Sequence, residues 1–331
     1  MIYLSAADTD AILDWPAAID CMRKAYSAEA NNRAVPGRLV AADKSAWIRC
    51  MPAIPGTGRF MGTKQISRTR DGKVVYVITL FDKATGELAY LMDGISITAM
   101  RTAATSALGL DALSAPGPIG KLAVLGSGLE ARSHVRAIAA ARPVHSLAVF
   151  SPTAASREAF AESVRADLRI DAEAVSSPDQ AVSGATHVLA AARSRDESPI
   201  LYGNWLAPGA TIVSIGSTTA SQREVDASVV ERASVIVADE VKELSHDTGD
   251  MIAAREKGVS FEHKLFSLYD LVQNRIPYRR AASDIAMFKS VGSALQDIAF
   301  AEFAAEACAA RSLGQPIPVA LKVKQSIGKN S

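Results

Sequence analysis

The sequence is short of almost everything that marks a specialised class. Cysteine occurs three times in 331 residues, at Cys21, Cys50 and Cys308. That odd number at wide spacing makes neither a disulfide framework nor a C-x-x-C metal pair, and it suits a reducing cytosol. The five histidines (His134, His145, His187, His246 and His263) show no H-x-x-x-H or H-E-x-x-H spacing, so no metal site is expected. Aromatic residues make up only 6%. No stretch approaches the roughly 18 uninterrupted apolar residues of a membrane span. The N-terminus, MIYLSAADTDAILD, carries acids in its first turns and no basic segment ahead of an apolar core, which is not the pattern of a signal peptide. An excess of one charge is missing too. Lys+Arg 36 against Asp+Glu 35 leaves a formal net charge of +1, so no global field favours nucleic acid or an anionic membrane. The expectation is a cytoplasmic protein whose partners are neither.

What is present is an Ala-rich globular composition, 49% hydrophobic and 21% charged, in a chain long enough for about two domains. Asp14 before Trp15-Pro16 marks a helix start, and Ile19, Met22, Ala25 and Tyr26 recur at helical spacing to about Glu29. Strand-forming runs follow at Ala46–Cys50, Phe60–Ser67, Val74–Phe81 and Leu88–Met92, with Asp71-Gly72 as a hairpin signal. Residues 1–92 therefore read as one helix on a mainly antiparallel sheet. Met100–Leu113 reads as a helix, and Ser114–Gly120 as a linker. Beyond it, short apolar runs at Leu122–Leu125, Leu147–Phe150, Ala172–Val175, Val188–Ala191, Thr211–Ile215 and Val235–Ala238 alternate with helical segments such as Ser156–Leu168 and Ala227–Ala233. That alternation predicts an α/β, doubly wound parallel sheet. Ala282 to about Ala310 reads as one long helix interrupted at Gly292.

Lys121-Leu-Ala-Val-Leu-Gly126-Ser127-Gly128-Leu129-Glu130-Ala131 is a strand entering a Gly-rich turn and then a helix. Gly126 permits the tight turn, Gly128 lets backbone approach a pyrophosphate, and Ala131 keeps the helix close to the strand. The helix N-terminus offers N–H groups to phosphates. An NAD site usually places an acid at the end of the next strand. Here that point reads Val149-Phe150-Ser151-Pro152-Thr153, with Arg157 nearby. Ser151, Thr153 and Arg157 suit a 2′-phosphate, which favours NADP over NAD.

The block Leu80-Phe-Asp-Lys-Ala-Thr-Gly86-Glu-Leu-Ala-Tyr-Leu-Met-Asp93-Gly, followed by Thr98-Ala-Met-Arg101-Thr-Ala-Ala-Thr-Ser106, resembles the ornithine cyclodeaminase/μ-crystallin family. Gly62-Thr-Lys64, Gly126-Ser-Gly128, Ile215-Gly-Ser-Thr with Arg223-Glu-Val-Asp226, and Phe288-Lys-Ser-Val-Gly292 with Gln296-Asp297 match in order. The resemblance covers about residues 15–305. It implies a Rossmann domain over about 116–304 and an α+β substrate-binding and dimerisation domain over about 1–115, completed by about 305–331. It also implies a homodimer joined through its N-terminal sheets and a nicotinamide dinucleotide for redox chemistry at the α-carbon of an amino or imino acid.

Carried onto matching positions, the resemblance places Arg38, Lys64 and Arg101 around a substrate carboxylate. A planar guanidinium binds such a group bidentately. It gives Lys64 a further role in polarising the imine, and makes Asp226 the acid/base that exchanges a proton with nitrogen. Asp226 equally suits the N-cap of a helix at Ala227–Ala233. Ser217, near a strand's carboxyl end, and Ser290, Val291 and Gly292, matching a late segment beside the nicotinamide, are further cofactor candidates. Lys289 and Asp297 are candidates for ion pairing or capping.

The departures from the family pattern bear on substrate. Before Met51-Pro52, where ornithine-specific members carry an acid, this chain has Cys50, with Arg49, Arg68 and Arg70 nearby. That set does not match a cationic side chain. Arg193 stands where relatives have small hydroxyl residues, and reads either as a phosphate ligand or as a loop charge. The expected activity is NAD(P)H-dependent reduction of a 2-imino acid, or the reverse amino-acid dehydrogenation. The rivals are ornithine cyclodeamination to proline and ammonia, and a cofactor-dependent ligand-binding protein of the μ-crystallin kind.

Overall fold

The structure, a computed structural model, describes residues 1–318 and Leu321. The chain forms two compact units. The first comprises Met1–Asp14, Asn31–Thr98 and the chain from Ala294 onward; the second comprises Trp15–Ala30 and Ala99–Ser293.

The first unit is built on a sheet of β1 (Ile2–Leu4), β2 (Leu39–Ala42), β3 (Ala46–Ala53), β4 (Phe60–Thr69), β5 (Val74–Asp82) and β6 (Leu88–Asp93), with Gln315–Pro316 added at the edge beside β1. The order is Gln315–Pro316, β1, β6, β5, β4, β3, β2. Only the β1–β6 pair is parallel. Hairpin-linked strands alternate their side chains between two faces. Met51, Lys64, Ile78 and Met92 therefore stand in one cross-strand row, and all four are buried. The helix Ala294–Ala310 packs on β3, β4 and β5.

The second unit is an all-parallel sheet: β7 (Ile119–Leu125), β8 (Val144–Phe150), β9 (Asp171–Ala174), β10 (His187–Ala190), β11 (Thr211–Ser214), β12 (Ala233–Ala238), β13 (Leu265–Ser267) and β14 (Ile285–Lys289). Their order is β13-β12-β14-β11-β10-β7-β8-β9. The chain winds outward from β7 through β8 to β9, then returns to β10 on the other side. The strand order thus reverses at β7/β10, where such sheets hold their ligands. This is the predicted doubly wound architecture.

Three expectations need correction. The helix Trp15–Ser27, expected on the N-terminal sheet, packs instead against the helices Leu129–Ala141 and Leu268–Val272 of the second unit. Tyr26 meets Tyr269 edge-on there, with ring centroids 4.8 Å apart. Its apolar periodicity showed that it must bury one face, but not against which sheet. Secondly, Ala282–Ala310 is not one helix. Ile285–Lys289 is an interior strand between β11 and β12, all five residues buried, and the helix begins only at Ala294. A short, continuously apolar run carries no period that separates strand from helix. Thirdly, the Pro/Gly-rich segment 114–120 ends inside β7, where Ile119 is fully buried. The division between units falls within the helix Gly94–Leu113 rather than near residue 116, and unit two ends at Ser293 rather than 304. Of the C-terminal stretch expected to complete the first domain, residues 319, 320 and 322–331 lie outside the described residues.

Candidate active site

At the β7/β10 reversal, Leu125 leads into Gly126 (φ +122°), whose N–H donates to Phe150 O at 2.8 Å. A Cβ at Gly126 would meet Ala191 O at 2.6 Å, so both the backbone angle and the close approach of the β10 loop require glycine. Gly128, the N-cap of Leu129–Ala141, makes no side-chain cap and has open space where a Cβ would stand. The first-turn N–H groups of a 13-residue helix therefore face an uncrowded approach. Ala131 at the third position is fully buried. This cradle fits a dinucleotide pyrophosphate.

At the neighbouring strand end, Ser127 Oγ donates to Ser151 Oγ at 3.0 Å, tying the Gly-rich turn to the end of β8. The Arg157 guanidinium donates to the Ser151 and Pro152 carbonyls at 3.1 and 3.5 Å. Those bonds hold Arg157 beside Ser151. Residues 150–157 contain no acid. Thr153 is the N-cap of Ala154–Leu168 without a side-chain capping bond. Leu129 is 62% exposed at the mouth of the turn. Glu130 follows it, and its carbonyl is bonded to His134 Nδ1 at 2.7 Å.

The remaining cofactor candidates already have internal partners. The Ser217 hydroxyl donates to Gln222 O at 2.6 Å. Ser290 Oγ, Val291 N–H and Gly292 N–H all donate to the carboxylate of Asp239, at 2.6, 2.9 and 3.0 Å. Asp239 follows the end of β12, and sequence reasoning missed it; an acid directly after an apolar strand was the available signal. Arg193 pairs with Glu197 at 2.9 Å, which favours its loop-charge reading over the phosphate-ligand one.

Among the substrate candidates of the first unit, Lys64 is 1% exposed and its Nζ lies 2.7 Å from Asp297 Oδ1. Asp297 sits in the first turn of Ala294–Ala310, where a carboxylate is favoured by the helix dipole. Arg38 directly precedes β2. Extending the Leu39–Cys50 register by one residue sets it opposite Met51, hence on the same side of the sheet as Lys64.

In the second unit, Arg101 is 5% exposed, and a Cβ at Gly292 (φ +83°) would come within 3.1 Å of both its terminal nitrogens. One and a half turns on, Ser106 Oγ is 3.1 Å from His134 Nε2. Burial first, and then the Arg101 charge, push His134 down to about 4 against the upward pull of its bond to the Glu130 carbonyl. The ring is thus neutral, donating through Nδ1 to the Glu130 carbonyl and accepting from Ser106. The Arg101 helix and the Gly-rich-turn helix are joined by that histidine.

Asp226 takes its alternative role. It caps Ala227–Arg232, accepting from Ser228 N–H at 2.9 Å, and its other oxygen pairs with Lys257 at 3.1 Å. Desolvation raises its pKa, but the bonds from Ser228 and Lys257 outweigh that and hold it at about 2. A carboxyl so acidic is ionised near neutrality, where it is a poor proton donor and can act only as an acceptor or as a negative charge.

Among the described residues, no group of three His, Cys, Asp or Glu side chains is placed to hold a metal ion, and no helix is long and apolar enough to cross a membrane.

The sequence profile of the ornithine cyclodeaminase/mu-crystallin family matches residues 4–312. A Delta(1)-pyrroline-2-carboxylate/Delta(1)-piperideine-2-carboxylate reductase of Azospirillum brasilense is 32% identical over 321 residues, covering 93% of this chain and 96% of that protein. The ketimine reductase mu-crystallin of Rattus norvegicus is 31% identical over 225 residues, 68% of this chain and 67% of its own. The Thermococcus litoralis Delta(1)-pyrroline-2-carboxylate reductase, solved with NADH and L-proline, superposes with a TM-score of 0.88 at 26% identity, covering 96% of this chain and 100% of that one.

Proposed function

The chain belongs to the ornithine cyclodeaminase/mu-crystallin family, and from that premise we propose that it reduces a cyclic 2-imino acid to the corresponding amino acid with a nicotinamide dinucleotide. The observation that carries the reading is the buried Lys64–Asp297 pair. A buried ion pair contributes little to stability over an apolar replacement, so its presence in a row of apolar residues asks for a chemical reason. Imine reduction supplies one, because nitrogen must gain a proton as carbon gains hydride.

A bound nicotinamide dinucleotide supplies the hydride. Arg38 and Arg101 are the cations for the substrate carboxylate, and Lys64 delivers the proton to the imine nitrogen with Asp297 orienting its ammonium group. The Gly126–Glu130 turn holds the pyrophosphate on helix N–H groups. Ser151, Thr153 and Arg157 receive a 2′-phosphate, which makes NADPH the preferred reductant. Ser217 and the Ser290–Gly292 turn contribute shape and backbone to the cofactor site, since their hydroxyls and N–H groups are already engaged.

By register Arg49 stands on the Lys64 face of the sheet and Cys50, with Sγ 3.2 Å from Thr63 Oγ1, on the opposite one, so the side chain just before Met51-Pro52 on the Lys64 face is a cation rather than a carboxylate, which favours the reductase over the cyclodeaminase. Leu39, Ile48 and Val75, 70%, 48% and 55% exposed, share the sheet face opposite Lys64. That face, which mixes these apolar side chains with exposed Gln65 and Ser67, is our candidate for joining two copies into a homodimer. Cys21, Cys50 and Cys308 are free thiols, in keeping with a cytoplasmic location.

The test is NADPH and NADH oxidation with five- and six-membered cyclic 2-imino acids, with ammonia release from ornithine followed in parallel. Imine-dependent oxidation supports the reading; ammonia without net cofactor oxidation replaces it with cyclodeamination.

A further inference from the structure

The second unit buries a charged network that the proposed chemistry does not use. Glu224, Ser214, Asp250 and Lys289 are all fully buried. Glu224 Oε2 accepts from the Ser214 hydroxyl at 2.6 Å and from Gly216 N–H at 2.8 Å, and its Oε1 accepts from Ala192 N–H at 3.1 Å. Lys289 Nζ donates to Ser214 Oγ at 2.8 Å and to Asp250 Oδ2 at 2.7 Å. Asp250 Oδ1 accepts the N–H groups of Glu224 and Val225 at 2.8 and 3.2 Å, and Arg223 Nε lies 3.5 Å from it.

The placement gives this network a purpose. Ala192 lies just past the end of β10 and Gly216 just past the end of β11, the two loops beside the strand-order reversal. One carboxylate grips both. Gly216 is pressed so close that a Cβ there would stand 2.4 Å from Glu224 Oε1. The adjoining Ala191 carbonyl is the atom against which Gly126 is packed, so the grip reaches the turn that approaches the pyrophosphate.

We propose that Glu224 is a positioning residue for the dinucleotide: its ionised carboxylate holds the loops after β10 and β11 in the placement that leaves the crevice beside Gly126 open. The inference rests on the dinucleotide site of the proposed function. All three partners of the carboxylate are donors, and the Ser214 oxygen already accepts from Lys289. Protonation removes the negative charge that strengthens all three bonds, and anywhere but the one unused lone pair of Oε1 it turns an O–H toward a donor, so the grip on the two loops weakens. Burial raises Glu224 to about 7; Lys289, Ser214 and Gly216 pull it down, and Asp250 adds to the rise. The charged groups in and beside the network are Lys289 from β14, Asp250 from Gly249–Glu256, and Arg223 from its own segment.

The experiment is an equilibrium titration of the full chain with NADH, which lacks the 2′-phosphate that would itself titrate, between pH 6 and 8. The proposal predicts that affinity strengthens about tenfold over that range, as expected for a group near 7 that must be ionised. Glu224→Gln binds weakly and without this pH dependence. Ser214→Ala, which removes one of three donors, moves the midpoint upward. A purely structural role would lower thermal stability without removing the slope. Wild-type binding with no slope, or an undiminished slope in E224Q, overturns the proposal alone; no binding of either NADH or NADPH at any pH overturns the dinucleotide reading with it.

Discussion

Lys64 and Asp297 form an ion pair, Nζ to Oδ1 at 2.7 Å, with both side chains buried in the first unit. Removing one partner of such a pair strands the other charge and costs about 3–5 kcal/mol. Asp297→Asn is expected to lose about that much on denaturant unfolding. Lys64→Met/Asp297→Asn should recover most of the stability but none of the turnover. Recovery of activity in the double variant would remove Lys64 from the chemistry.

Arg101 rests against Gly292, so the glycine can be used to test the arginine. Arg101→Met should raise KM for the imino acid about 100-fold while cofactor affinity holds, because a desolvated guanidinium–carboxylate pair contributes about 3 kcal/mol. Gly292→Ala, strained at φ +83° and only 3.1 Å from the guanidinium, should raise KM in the same direction by a smaller factor. Steady-state kinetics with both variants checks this.

Asp226→Asn should keep near-wild-type kcat. Its cap on Ala227–Arg232 and its pair with the exposed Lys257 predict a stability loss of about 1 kcal/mol. A collapse of kcat with the fold intact would assign Asp226 the acid/base role that the family resemblance implies.

Arg157→Ala should weaken NADPH about tenfold and leave NADH unchanged, since charge-assisted bonds to a phosphate contribute about 1.5–3 kcal/mol. Equal loss for both cofactors would place Arg157 in a structural role only.

His134 and His187 are both held at about 4, chiefly by burial, aided by Arg101 for the first and by Arg142 and Arg280 for the second. The unfolded chain therefore binds more protons than the folded one between about 6.5 and 4. Their contribution to stability is complete above that window and is lost as pH falls through it, by up to about 3 kcal/mol for His134. Thermal melting across pH 4–7 should show the decline, with a shallower slope in His134→Gln.

The parts legible in the sequence were those whose signals are local. The Gly-rich turn, the Asp71-Gly72 hairpin and the apolar runs of β7 to β12 each carry their reason within a few residues. What stayed hidden depends on partners far along the chain. Nothing near Trp15–Ser27 says which sheet it covers, and Ile285–Lys289 is too short and too apolar to show a period. In Arg223-Glu-Val-Asp226 the two carboxylates look equivalent, yet the fold buries Glu224 among charges and leaves Asp226 as a helix cap. Lys64 and Asp297 are 233 residues apart, and only the packed helix Ala294–Ala310 joins them.

The central claim is net reduction of a cyclic 2-imino acid, and its most direct test is stoichiometry. Purified protein supplied with Δ1-pyrroline-2-carboxylate and NADPH should form one L-proline for each nicotinamide oxidised, and release no ammonia from ornithine. Ammonia and proline from ornithine with the nicotinamide unchanged overall, or tight ligand binding with no turnover of the imine, would contradict it.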